Sequence, residues 1–118
     1  MAITPRIPHD DLVVTHTVNE DSDVDGLSRY FTTLSEPDGT TVAMIGFHKG
    51  SPEKAWHGWT TAKVIEALIA HMDYHQGTPF ACEQNEEILG HLKAAHKATE
   101  KRRDERKGRG VLYDHKTP

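Results

Sequence analysis

The chain has 118 residues, 36% of them hydrophobic and 27% charged, with a formal net charge of −4. That length supports one domain with a modest core, and the sequence holds no run of about 18 apolar residues to cross a membrane. Its single cysteine, Cys82, excludes an intramolecular disulfide framework and suits a reducing, cytosolic compartment.

The first eleven residues carry Pro5, Pro8 and two aspartates and lack the apolar stretch of a secretory signal, so an irregular lead-in is expected. LVVTHTV (12–18) alternates and is β-branched, the pattern of a strand. NEDSDVDG (19–26) reads as a polar loop. SRYFTTL (28–34) and TTVAMIGF (40–47) read as strands flanking EPDG, whose Asp38-Gly39 pair favours a hairpin turn. KGSPEKAWHGW (49–59) predicts an irregular connection. Trp56 and Trp59 within it can form a stacking surface or cover the start of the next element.

A first helix is expected over 60–75, capped by Thr60 or Thr61. Its apolar stripe is Val64, Ile65, Leu68, Ile69 and Met72, with His75 at the end. Gly77 and Pro79 break it. A second helix is expected over 80–107, stopped by Gly108 or Gly110. The short link makes the two an antiparallel hairpin. The expected fold class is therefore α+β: a small N-terminal antiparallel β-sheet (12–47) followed by a C-terminal antiparallel helical hairpin, in a single domain, 1–118.

Charge is unevenly spread. Residues 1–50 hold eight acidic and three basic side chains, net −5, whereas residues 93–109 hold eight basic and three acidic, net +5. Overall acidity argues against a protein that coats nucleic acid polymers. The local basic end suits a small anionic ligand or an acidic neighbour.

Along the second helix Asn85, Ile88, Leu92, Ala95, Thr99, Arg102 and Arg106 recur at three- and four-residue spacing, so one face is expected to carry them. Guanidiniums grip phosphate through forked, charge-assisted bonds. Arg102 and Arg106, with Arg109 close behind, are thus candidates for a phosphate site. The competing reading is a solvated helix end whose cations complement the dipole. His75, Gln76 and Asn85 flank the turn, where an imidazole can stack on a base and an amide can read its edge. They can equally well bracket the turn. The second helix is the longer, so its basic end overhangs and is expected to meet another subunit, the β layer or a ligand.

Other chemistries find little support. His71 and His75 have metal-ligand spacing, but no glutamate stands in an H-E-x-x-H context and Cys82 has no partner cysteine, so no metal and no cofactor is expected. Cys82, in the first turn of the second helix, reads as a small packing residue more readily than as a nucleophile. Ser51 has no G-x-S-x-G setting, and neither a P-loop nor G-x-G-x-x-G is present. No catalytic residue is assigned.

Taken together, FHKGSPEKAWHGWT, a helix, HQGTPFACEQN, and a long helix ending RRDERKGRGV resemble the phage sponge proteins that share a helical-hairpin domain. These include the Thoeris anti-defence family and a related anti-CBASS family. The resemblance covers residues 47–111. It implies a non-enzymatic, phage-encoded protein in the host cytoplasm that binds and sequesters a cyclic nucleotide immune signal without cleaving it. The signal would be a glycocyclic ADP-ribose isomer, with cyclic oligonucleotides as a further class. It also implies homo-oligomers, some of them hexamers, with pockets between subunits. Carried over, the family's pocket asparagine is Asn85 and its arginines are Arg102 and Arg106. Its turn aromatic falls on His75, a departure. Two others are His57-Gly58 for Asn-Gly and V-L-Y-D after Gly110. Arg109 is a candidate for a second site. The rival readings are a hairpin module docking an acidic protein or RNA, and a nucleotide hydrolase.

Overall fold

A computed structural model describes residues 7–18, 30–47 and 58–112. It is α+β: three antiparallel strands precede two helices. The chain forms two compact units, Met1–Trp59 and Thr60–Pro118. The expected loop at 19–26, the strand start at Ser28 and Arg29, and Ser51, Trp56 and His57 lie outside the described residues.

The first unit is a sheet of β1 (Val13–Val18), β2 (Tyr30–Ser35) and β3 (Thr41–Phe47), in that order. β1 pairs antiparallel from Val13↔Ser35 to Val18↔Tyr30, and β2 pairs with β3 from Tyr30↔Phe47 to Leu34↔Ala43. This register puts His16, Tyr30 and Phe47 on one face, where the His16 ring lies 6.4 Å from that of Tyr30 and 5.9 Å from that of Phe47. The β2–β3 turn closes with Gly39 at φ +96° and the Thr40 amide donating to Asp38 Oδ1 at 2.9 Å. A register shift follows at Leu34/Ser35, and beside it Val42 is 6% exposed. Trp59 joins β3 through a bridge to Phe47, its amide donating to the Gly46 carbonyl at 2.8 Å. Only glycine fits before it: Gly58 has φ +110°, and a Cβ there would lie 2.5 Å from the Gly46 oxygen.

The second unit is the hairpin of α1 (Thr61–Gln76) and α2 (Glu83–Gly108). Thr60 caps α1 by accepting from the Lys63 amide. At its far end α2 closes with a left-handed Gly110 at φ +75°. The Val111 amide returns to the Arg106 carbonyl and that of Gly110 to Lys107, a Schellman cap. Gln76 meets Glu86 and Glu66 meets His96, so the helices run antiparallel. Continuing that pairing sets Thr61 level with Lys101, and α2 overhangs from Arg102 onward. Among the described residues, no helix is long and apolar enough to cross a membrane.

Two expectations about α2 need correction. It begins at Glu83, not Phe80, and Cys82 is the N-cap in extended conformation rather than a first-turn residue. The cause is Gln76, whose carboxamide accepts from the Cys82 amide and donates to the Cys82 carbonyl, both at 3.1 Å. The buried face is also rotated. Leu89 (5% exposed) and half-buried His96 pack, with Asn85, Leu92 and Thr99. Ile88 is 46% exposed, and Ala95 and Arg102 are exposed. At about 100° per residue, the expected stripe is one flank of the packed face, not its centre.

Candidate functional site

The hairpin has two unlike sides. On one, Lys63 Nζ donates to Glu66 at 3.2 Å, and Glu66 approaches His96 Nε2 at 3.5 Å, while His96 Nδ1 lies 2.9 Å from Glu100. Lys63, through its hydrogen bond, holds the Glu66 carboxyl below the usual carboxylate range; desolvation opposes this, and His96 adds a weaker lowering. An open groove of about 480 Å³ on the hairpin is lined by Ile69, Lys93, Ala94, His96, Lys97 and Glu100. None of the six sequence-derived candidates lines that groove.

The opposite flanks of the two antiparallel helices share the other side. There α1 contributes Val64, Leu68, His71 and His75 at spacings of four, three and four. α2 contributes Gln84, Ile88, His91, Ala95, Ala98 and Arg102 in the same rhythm. Neither stripe contains a carboxylate. Leu68 and Ile88 are 44% and 46% exposed, so this side presents apolar surface ending in a cation.

The six candidates fall at the two ends of α2. At the turn, His75 is half-buried against Tyr74 and His71. The Gln76 carboxamide is spent on Cys82 and on Glu86, to which it donates at 2.7 Å. Asn85 donates to the Phe80 carbonyl at 3.3 Å. Both amides thus build the turn, whatever else they touch. At the other end the arginines differ. Arg106 is 8% exposed and donates to the Val111 carbonyl at 2.7 Å, tying down the cap. Arg109 pairs with Glu105 one turn back. Arg102 is exposed and has no hydrogen-bond or ion-pair partner among the described residues. It is the uncommitted guanidinium of the set.

Asn85 and Arg102 are seventeen residues apart on one straight helix, about 25 Å. One chain therefore does not bring the turn and the arginines together around a compact ligand. Sequence reasoning missed the Glu66–His96–Glu100 contacts. Only the i, i+4 spacing of His96 and Glu100 signalled them, because the third partner comes from the other helix. Among the described residues there is no group of three or more metal-binding side chains. No protein-family model matches the chain, and no curated protein matches it.

Proposed function

We propose that the protein is a sponge: it binds a cyclic nucleotide signal in a pocket shared by two copies and releases it intact. The observation that carries this reading is the side of the hairpin whose two stripes hold no carboxylate, Glu87 reaching only His91 at its edge, with candidate base-binding groups at the turn and the uncommitted Arg102 near the other end of α2. A two-fold axis near Ala95 would pair this side with itself. Residues equally far before and after Ala95 then face each other, so Ile88 of one copy lies level with Arg102 of the second, and Gln84 with Arg106. Small residues at the centre, Ala95 and Ala98, permit close approach. The turn of each copy meets the arginine end of the other, and the separation of about 25 Å disappears. In each of two identical sites the Arg102 guanidinium would engage a phosphate, His75 would stack on a base, and Asn85 would bond to ribose or base. The resemblance of residues 47–111 to phage sponge proteins supports the ligand class, and with it a phage origin and action in the host cytoplasm.

The test is capture and return. Protein is incubated with a glycocyclic ADP-ribose isomer, separated by filtration and heated. A sponge depletes the filtrate and gives the signal back unchanged on heating. Cleavage products would identify a hydrolase. A signal that stays in the filtrate, across a panel of cyclic nucleotides, would leave the hairpin as a module for an acidic macromolecule.

A further inference from the structure

His71 and His75 lie one turn apart on α1, with ring centroids 4.5 Å apart and planes at 89°. His71 is exposed and His75 half-buried. Neither imidazole has a hydrogen bond or ion pair among the described residues. The other nitrogens of the hairpin's histidines have carboxylates near them, Glu87 beside His91 and Glu66 and Glu100 beside His96. The pair on α1 stands apart in having no carboxylate beside it, only ring contacts with each other and, for His75, with Tyr74.

We propose that His71 and His75 form a two-imidazole chelate for a late first-row divalent cation, copper(II) or zinc(II). Metal–nitrogen bonds of about 2.0–2.1 Å at a right angle hold two imidazole centroids roughly 4–5 Å apart, which is the separation seen. Imidazole suits these ions, and copper(II) stands highest in the affinity order. With two protein ligands, water completes the coordination. Each ring binds through a nitrogen lone pair. The chelate exists only while residues 71–75 are helical, so the bound metal stabilises α1. This goes beyond the signal-binding reading; it shares His75 with that site, whereas His71, the residue varied in the test, lies outside it.

The test is a copper(II) titration of the full chain in a non-coordinating buffer, followed by calorimetry and electron paramagnetic resonance. Wild type should bind one ion with two nitrogen ligands, and His71→Ala should weaken that site at least about tenfold. His91→Ala should leave it intact. Copper(II) or zinc(II) should raise the melting temperature of wild type more than that of His71→Ala, and magnesium should do so for neither. Superimposable titrations of wild type and His71→Ala, a one-nitrogen spectrum in wild type, or equal melting shifts would each overturn the proposal.

Discussion

The two sides of the hairpin use polar side chains in opposite ways. On the charged side, Lys63, Glu66, His96 and Glu100 satisfy one another within the chain. On the other side, carboxylates are missing from both stripes, apolar Leu68 and Ile88 stay about half exposed, and Arg102 has no partner. That side answers its carboxylates, Glu66 and Glu100, while Lys93 and Lys97 stay exposed along its groove. A side that leaves apolar area and a cation open suits a covering partner, which is what the proposed shared pocket uses. The comparison teaches that function is better sought where pairing within the chain is missing than where it is rich.

The largest effect is expected from Ala95→Glu. It sets a carboxylate at the proposed centre of contact, where an unpaired buried charge costs several kcal/mol. Light scattering should show a monomer, and capture should disappear. Unchanged mass and binding would move the interface elsewhere. Next comes Arg102→Ala. Loss of one charge-assisted bond, about 1.5–3 kcal/mol, should weaken capture about 10- to 150-fold with the fold intact. Calorimetry that finds equal affinity would return Arg102 to the solvated helix end. Arg106 is a poorer probe, because its guanidinium holds the Val111 carbonyl.

Gln76→Ala probes the turn itself. It strips two bonds from the Cys82 backbone and one from Glu86. A loss of about 1–3 kcal/mol of hairpin stability is expected in thermal denaturation. An unchanged melting curve would mean that the turn does not rest on this amide. The smallest effect belongs to Glu66→Gln. The Glu66 carboxyl titrates below its usual range because of Lys63 and His96. Its contribution is therefore present above the pH at which an unfolded glutamate titrates, and lost as pH falls through the lower folded value. Wild type should melt slightly above the variant at pH 7, and the two should converge below about pH 4. A gap that widens in acid would contradict the assignment.

Much of this architecture was legible. β-branched alternation, Asp38-Gly39 and Thr60 each specify local structure through their own backbone chemistry, and the strands, the β2–β3 turn and the α1 start lie where those signals stand. The register of α2 was not. Ile88 and Leu89 are adjacent, and both stripes through them step by three and four, so periodicity alone supports either. Leu89 wins through packing against α1, which a single helix does not encode. The non-helical Phe80–Cys82 segment was hidden for a similar reason, since Gln76 acts on it from six residues away. Of the site, residue types were readable but distances were not. Helical rise alone separates Asn85 from Arg102, and the pocket proposed here brings them together through a second copy.

Mixed variants distinguish a pocket shared by two copies from one within a single chain. Asn85→Ala and Arg102→Ala are each prepared, shown to bind poorly alone, then combined in equal amounts under exchanging conditions. In a mixed pair one site carries both changes and the other carries neither. Random assortment therefore restores about a quarter of the sites at wild-type affinity. Titration of the mixture should recover that fraction. If the mixture binds no better than its separate components, the turn and the arginine do not meet across two copies, and the shared pocket is wrong.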